Sequence, residues 1–263
     1  ELFWGSKKYA LTLGIKAASN EYLLFSDADC KPISKNWIQK MSNNFSDKHQ
    51  LILGYGAYKK IKNSFLNKLI RFETLLTAVQ YFSFAKSGIP FMGVGRNLAY
   101  KKDEFFKANG FISHMNVRSG DDDLFINQVA TKLNTEICIS KTSFTKSLPE
   151  TTFNDWFIQK SRHVSTAKHY KFKHKALLSL FFISQFLFWA LATFLLGFQF
   201  NWKIILALMS FRLLVQIIVF TYSAKKLDEK DVIVLIPILE PFLVLTQLTI
   251  FIYNLISKPN HWK

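Results

Sequence analysis

The chain of 263 residues carries 34 lysines and arginines against 18 aspartates and glutamates, a formal net charge of +16 at pH 7. The basic residues are scattered and concentrate at 168–175 and 225–230, beside long apolar stretches. This pattern is typical of the cytoplasmic flanks of membrane spans and argues against a nucleic-acid partner. The two cysteines, Cys30 and Cys138, lack C-x-x-C spacing and indicate neither a disulfide framework nor a zinc site.

Residues 1–150 mix polar and apolar positions as a domain outside the membrane does. Strand-like and helix-like segments alternate there, which predicts an α/β layer architecture. The predicted strands are 22–25, 50–58, 96–100 and 135–140. The predicted helices are one carrying Leu11 and Ile15, one capped by Ser34, a long one opened by Ser64, and those at 102–109 and 123–133.

Residues 151–175 predict an amphipathic helix. Thr152 and Asp155 have the spacing of a capping box, and Phe153, Trp156 and Phe157 share one face. Such a helix either lies in the membrane interface or packs on the soluble domain. Its position directly before the apolar region favours the interface.

Three stretches with almost no charge make up the region 176–256, at 176–198, 204–222 and 232–256. Each is long enough to cross roughly 30 Å of hydrocarbon as a helix. A buried helical core is the alternative, but it would leave almost no polar face for water. We therefore expect a multi-pass protein of the cell inner (plasma) membrane, with membrane lipids as partners and the domain 1–150 in the cytoplasm.

The third stretch is less regular than the other two. Pro237, Glu240 and Pro241 interrupt it, so it is either a kinked span or a re-entrant segment. The basic tail 257–263 favours a cytoplasmic end and argues mildly against a simple third crossing.

The segment "LLFSDADCKP", residues 23–32, places two carboxylates one residue apart directly after a predicted strand. Two negative charges this close repel each other unless a cation or strong donors lie between them. Loops at the carboxyl ends of strands in an open α/β sheet converge on a ligand crevice. Asp27 and Asp29 are therefore candidate ligands of Mg²⁺ or Mn²⁺, and an ordinary polar turn is the alternative.

A second acidic cluster, "SGDDDLFIN", contains Asp121, Asp122 and Asp123. Asp123 is the best placed of the three to cap the helix that follows. Asp121 or Asp122 is then free to face the crevice and to accept a proton from a hydroxyl nucleophile. A solvated acidic loop is the alternative.

Four segments in one order resemble a known family. "GSKKYALTLGIKAASNEYLLFSDADCKP" is similar to the segment of inverting family-2 glycosyltransferases that leads into their D-x-D motif. "GVGRNLAYKKDEF" and "GDDDLF" resemble their acceptor-side strand and their catalytic-base motif, and "QKSRH" resembles the Q-x-x-R-W motif of membrane-bound members. The resemblance implies a GT-A-like (Rossmann-like) nucleotide-diphospho-sugar transferase domain, an interfacial helix and transmembrane helices.

The resemblance also implies roles for single residues. Asp27 would approach the ribose or diphosphate of a UDP- or GDP-sugar donor, and Asp29 would ligate Mg²⁺ or Mn²⁺, with Asp27 as a second ligand. Asp121 would be the base that activates the hydroxyl of a lipid-linked or envelope glycan acceptor, with Asp122 in reserve. The two remaining donor contacts implied are Gln159 and Arg162.

The acceptor region implied by the resemblance comprises Gly95, Arg96, Asn97 and His163. His163 stands where the motif has tryptophan, which argues against a processive polymer synthase. Gly120 replaces the acidic residue before the base. The family's first strands would precede Gly5, so the chain is predicted to be an N-terminally truncated fragment.

Two other functions remain open from the sequence. A metal-dependent nucleotidyl- or phosphotransferase also uses paired aspartates. A non-catalytic membrane scaffold with a degenerate domain is the second alternative.

Overall fold

The computed structural model describes residues 7–117 and 119–256; the predicted tail 257–263 and the segment around Gly5 lie outside the described residues. The helices are α1 (Lys7–Ala17), α2 (Trp37–Ser42), α3 (Phe65–Lys86), α4 (Lys102–Lys107), α5 (Asp123–Val129), α6 (Phe153–Thr166), α7 (Phe172–Gly197), α8 (Trp202–Leu227) and α9 (Ile236–Ile256). The strands are β1 (Tyr22–Phe25), β2 (Lys31–Pro32), β3 (Leu51–Leu53), β4 (Gly56–Tyr58), β5 (Leu98–Lys101), β6 (Thr135–Ile137) and β7 (Thr145–Ser147).

The larger sheet has four strands in the order β1-β5-β3-β6. β5 is antiparallel to both of its neighbours, with Phe25 opposite Leu98 and Leu53 opposite Leu98, and β3 runs parallel to β6. The sheet is therefore mixed, and β1 lies at its edge. The predicted α/β architecture is confirmed at this level.

The predicted strand 50–58 is in fact two strands in different sheets. β3 belongs to the larger sheet, whereas β4 joins β2 and β7 in a small sheet of order β2-β7-β4. The chain turns from one sheet to the other at Gly54, where a Cβ would come within 2.6 Å of the Asn97 side chain. Glycine is required here because the backbone passes so close to another side chain.

Two of the three predicted serine and threonine caps are found. The Ser64 side chain accepts a hydrogen bond from the Asn67 backbone N–H at 3.1 Å, and Thr152 accepts one from the Asp155 N–H at the same distance. The prediction for Ser34 is wrong, because α2 begins after Asn36 and the Ser34 hydroxyl instead accepts the Asn36 N–H, two residues on.

Helix α3 connects the sheet to the long apolar helices near the end of the chain. Its 22 residues bury one continuous side that includes Leu69, Phe72 and Leu75. The Tyr81 hydroxyl donates to the Gly54 carbonyl at 2.8 Å, which ties α3 to the end of β3. At its other end Phe72 packs on Phe220 of α8.

Three helical segments are long and apolar enough to cross a membrane, Phe172–Gly197, Trp202–Leu227 and Lys230–Ile256. α7 and α8 form an antiparallel hairpin, in which the Arg212 guanidinium of α8 lies over the Phe188 ring of α7 at 4.3 Å. α6 lies between this region and the sheet: Trp156 is buried, and Lys160 pairs with Glu73 of α3 at 2.6 Å.

Candidate active site

The end of β1 fixes the first acidic pair. Phe25, the last residue of the strand, stacks on Tyr100 of β5 with ring centroids 4.4 Å apart. The chain then turns, because the Cys30 N–H donates to the Asp27 carbonyl at 3.0 Å. This turn brings ligand atoms of Asp27, Asp29 and Cys30 within 4.8 Å of one another.

This group fits a hard divalent cation through its oxygens. Asp29 is exposed and Asp27 half-buried, so both carboxylates are reachable, and Mg²⁺ and Mn²⁺ prefer such ligands. Partial burial, followed by the charge of Asp29, raises the pKa of the Cys30 thiol. The thiol therefore stays protonated at neutral pH and is a poor ligand beside the two aspartates.

The second acidic cluster lies at the start of α5. Gly120 has φ +94°, and a Cβ there would collide with Leu124, which explains why glycine stands where the motif has an acidic residue. Asp122 is the N-cap: its carboxylate accepts the Asp123 N–H at 2.7 Å and the Gly95 N–H at 2.6 Å. Asp122 is thus the N-cap, and Asp123 also meets an exposed N–H of the first turn, since it accepts the Leu124 N–H at 2.8 Å.

The surroundings of Asp122 disfavour its charge. Burial, and then the nearby carboxylates of Asp121 and Asp123, raise its pKa to about 7, although Lys7 and the Gly95 N–H act in the opposite direction. A carboxyl group that titrates near neutrality in a cleft is typical of functional sites.

Lys7 joins the two acidic clusters and was not predicted from the sequence. Its ammonium lies 2.7 Å from Asp27 and 2.8 Å from Asp121. Burial disfavours the charge on Lys7, but Asp121 and Asp27 outweigh it and raise the pKa above its usual value. The pocket around this bridge is lined by Lys7, Leu11, Phe25, Ser26, Asp27, Gly95, Leu98, Tyr100, Asp121 and Asp122.

Lys8 holds the loop before the acidic cluster. Its side chain is 1% exposed, and its ammonium donates to the carbonyls of His114 and Val117 at 2.7 and 2.8 Å. Burial lowers its pKa to about 8 in spite of the nearby carboxylates. Neither lysine stands out by type in a chain with 34 basic residues, although both lie in the quoted "GSKKYAL" segment.

Asp123 ties the start of α5 to the end of α6. One carboxylate oxygen accepts hydrogen bonds from the Thr166 hydroxyl at 2.5 Å and the Tyr170 hydroxyl at 2.7 Å. Four residues on, the side-chain amide oxygen of Asn127 accepts the Lys171 backbone N–H at 3.0 Å. These hydrogen bonds attach α5 to the segment that leads into α7.

Helix α6 carries the remaining predicted donor and acceptor residues, Gln159, Arg162 and His163. Desolvation by the surrounding protein, and then the charges of Lys160, Arg96, Arg162 and Lys7, lower the pKa of His163 to about 3, although the residue has an exposed surface. It is therefore neutral at physiological pH. The Gln159 amide donates to Glu150 at 2.9 Å.

The turn before β5 holds the other predicted acceptor residues. Arg96 lies over the Tyr58 ring at 4.2 Å and donates to the Ala57 carbonyl, so it is anchored on the small sheet. Asn97 is fully buried and bonded to Trp37, Tyr55 and Ser143. Asn97 therefore braces the turn, and among the predicted acceptor residues of this turn Gly95 reaches the pocket.

A comparison with protein families identifies the class of protein to which this chain belongs. The model of glycosyl transferase family 21 matches residues 6–263, nearly the whole chain. The protein belongs to this family. The finer prediction of an inverting family-2 enzyme is not confirmed, and the predicted truncation has no support from this match.

Among solved structures, the chain is similar to the mannosyltransferase PcManGT from Pyrobaculum calidifontis, determined in complex with GDP-Man and Mn²⁺. The two are 13% identical, the similarity covers 92% of this chain and 67% of the other, and the TM-score is 0.48. Among curated proteins, no sequence matches this chain.

Proposed function

We propose that this glycosyltransferase moves a hexose from a UDP- or GDP-sugar to a hydroxyl of a lipid-linked or envelope glycan acceptor, with inversion and with help from a divalent cation. The observation that carries the proposal is the pair of short contacts from Lys7 to Asp27 and to Asp121. These contacts join the carboxylate pair at the end of β1, which suits the cation of a bound diphosphate, to Asp121, whose carboxylate suits proton transfer.

Asp121 is the base in this proposal. Its side chain lines the pocket and is held by Lys7, whereas both oxygens of Asp122 are engaged by backbone N–H groups. Asp121 accepts the proton of the acceptor hydroxyl as the oxygen attacks the anomeric carbon. Asp122 positions the Gly95 turn and is the reserve candidate for the base.

Asp27 and Asp29 would hold Mg²⁺ or Mn²⁺. When bound, the cation supplies positive charge that stabilises the departing nucleoside diphosphate. Lys7 adds a second positive charge on the same side of the pocket, and it can turn from Asp27 toward a phosphate oxygen.

Helix α6 supplies the remaining donor and acceptor contacts in this proposal. Arg162 is assigned to the diphosphate oxygens, which a guanidinium can bind in a bidentate manner, and Gln159 assists it. His163, neutral and open to the cleft, is assigned to the acceptor as a hydrogen-bonding group.

The test uses the full chain in vesicles of host membrane lipid, incubated with labelled UDP- and GDP-sugars and Mg²⁺ or Mn²⁺. We expect release of UDP or GDP and label in the lipid or glycan fraction, with an inverted anomeric configuration. Asp121→Asn should lower the rate by about 10²-fold or more, because the base is lost. Asp29→Asn should weaken the dependence on the cation, and Asp103→Asn, an exposed change on α4, is the matched control.

The variants separate the alternatives. If Asp121→Asn keeps full transfer activity and Asp122→Asn loses it, Asp122 is the base. Full activity of both, or of Asp29→Asn, would overturn the site assignment. Release of pyrophosphate or nucleoside monophosphate would instead indicate nucleotidyl or phosphoryl transfer.

A further inference from the structure

The third apolar segment packs differently from the other two. Within its most apolar window 39% of the residues are buried in the protein, against 11% in α7 and in α8. The buried face of α9 includes Leu239, Leu243 and Ile250. α9 therefore packs against more of the protein than α7 or α8 does.

Two contacts with α7 show how α9 is oriented. The Gln185 amide of α7 donates to Glu240 at 3.1 Å, and Phe182 packs on Phe251 with ring centroids 5.0 Å apart. The contact points are about 16 Å apart along α9 but only about 5 Å apart along α7. Parallel or antiparallel helices would advance equally, so α9 lies steeply across α7.

Both ends of α9 touch the helix that carries the cleft residues. Near its start, Phe242 packs on Phe153 of α6 and Phe65 of α3. Near its end, Tyr253 packs on Phe157, and the Asn254 amide donates to the Ser161 carbonyl at 3.0 Å. These contacts place the two ends of α9 on one side of the membrane, because α6 has only 14 residues, carries Asp155, Lys160 and Arg162, and so does not cross the bilayer.

We propose that α9 lies in the plane of the membrane beneath the catalytic domain, on the side of that domain, and that only α7 and α8 among the described helices cross the bilayer. Its outer face, with Ile238, Leu245 and Leu255 at 57%, 60% and 86% exposure, contacts lipid acyl chains. Glu240 is neutralised by Arg212 and accepts the Gln216 amide, so the helix carries no unpaired charge at that position.

This arrangement has a consequence for the cleft. α9 packs against α6 from the membrane side. It thereby holds Gln159, Arg162 and His163 at the level of the membrane surface. An acceptor held in the bilayer can then reach the cleft without leaving the membrane.

The first test locates the end of the chain. Single cysteines replace Lys203, Lys230 and Lys263 in a full chain with Cys30→Ser, since Cys138 is buried. A membrane-impermeant maleimide is added to sealed right-side-out and inverted vesicles. We expect residue 263 to react on the same side as residue 230 and opposite to residue 203. Reaction of residue 263 on the side of residue 203 would overturn the proposal.

The second test measures depth and does not depend on the tail. An environment-sensitive fluorophore is placed at Ile238→Cys, Leu245→Cys and Leu255→Cys and quenched by lipids brominated at known depths. The outer positions are about 25 Å apart along α9, yet we expect equal depths. Ile204→Cys and Ile218→Cys on α8, about 21 Å apart, are the matched pair and should differ in depth. A graded depth along α9 like that along α8 would refute the in-plane orientation.

Discussion

Asp122 lies beside the carboxylates of Asp121 and Asp123 and the ammonium of Lys7. Its protonation state decides how strongly the negative charges in the pocket repel each other. Two backbone N–H groups bind its carboxylate, but burial and the adjacent acids still raise its pKa to about 7. The folded protein therefore holds a proton on Asp122 that the unfolded chain would release near pH 4.

The sign of the pH effect follows from this shift. Because the pKa is higher in the folded state, the contribution of Asp122 to stability is full below about pH 4 and is lost as the pH rises through 7. We expect the Tm of the wild type minus the Tm of Asp122→Asn to fall between pH 4 and pH 7.5. Differential scanning fluorimetry in detergent measures it, with Asp103→Asn as control. A difference that is flat or rises with pH would contradict the shift.

The pocket shows which single residues a sequence can predict. Asp27, Asp29 and Asp121 stand in short acidic motifs, and the resemblance gave each a role. The bridging role of Lys7 could not be predicted, because its partners lie 20 and 114 positions away and the chain is rich in lysine. The burial of Asn97 could not be predicted for a related reason: its motif is visible in the sequence, but its complete burial depends on distant loops.

At the scale of elements, long periodic segments were predicted well and short ones were not. β1, α3 and α6 start where the sequence places them. β2 and β7 have two and three residues and were missed, because so short a strand has no measurable period. α5 ends at Val129 rather than at 133, because a turn replaces its end, and β6 ends at Ile137 rather than at 140, because the residues after it have no regular structure.

Lys8 allows a test of how α1 supports the acidic cluster. Lys8→Met keeps the length of the side chain but leaves the buried carbonyls of His114 and Val117 without a donor. A loss of about 2 kcal/mol follows, which lowers the Tm by about 4–8 °C in a chain of this size. Lys16→Met, an exposed change on the same helix, is the control and should leave the Tm unchanged.

The same variant should also change local motion. Hydrogen exchange of residues 112–117 should accelerate in Lys8→Met, because the loop loses its attachment to α1. Equal exchange in Lys8→Met and Lys16→Met would show that Lys8 does not hold this loop.

At the scale of the whole molecule, a buried ion pair joins helix α3 to the turn between the apolar helices α8 and α9. Arg71 of α3 binds Glu229, in the turn after α8, through both Nε and a terminal nitrogen, and it also pairs with Asp231. The side chains of Arg71 and Glu229 are each 2% exposed. No local pattern could predict this pair, because its members are 158 residues apart and are ordinary surface types.

Removing one member of this pair should be far more damaging than removing both. Arg71→Met leaves Glu229 buried and uncompensated, at a cost of about 3–5 kcal/mol, whereas replacing both with apolar residues is often close to neutral. Glu229→Leu should lie between the two, because Arg71 keeps Asp231, which is half exposed. A double-mutant cycle by thermal unfolding in detergent measures the coupling.

The control for this cycle is the surface pair Lys86–Glu136, in which the lysine is 59% exposed. Lys86→Met should change stability by less than about 1 kcal/mol, because solvent screens an exposed pair. If Arg71→Met is as mild as Lys86→Met, the pair does not bind the two parts together. The same conclusion follows if the effects of the two single changes on the free energy of unfolding simply add. Apolar contacts such as that of Phe72 with Phe220 would then hold the α8–α9 turn to α3.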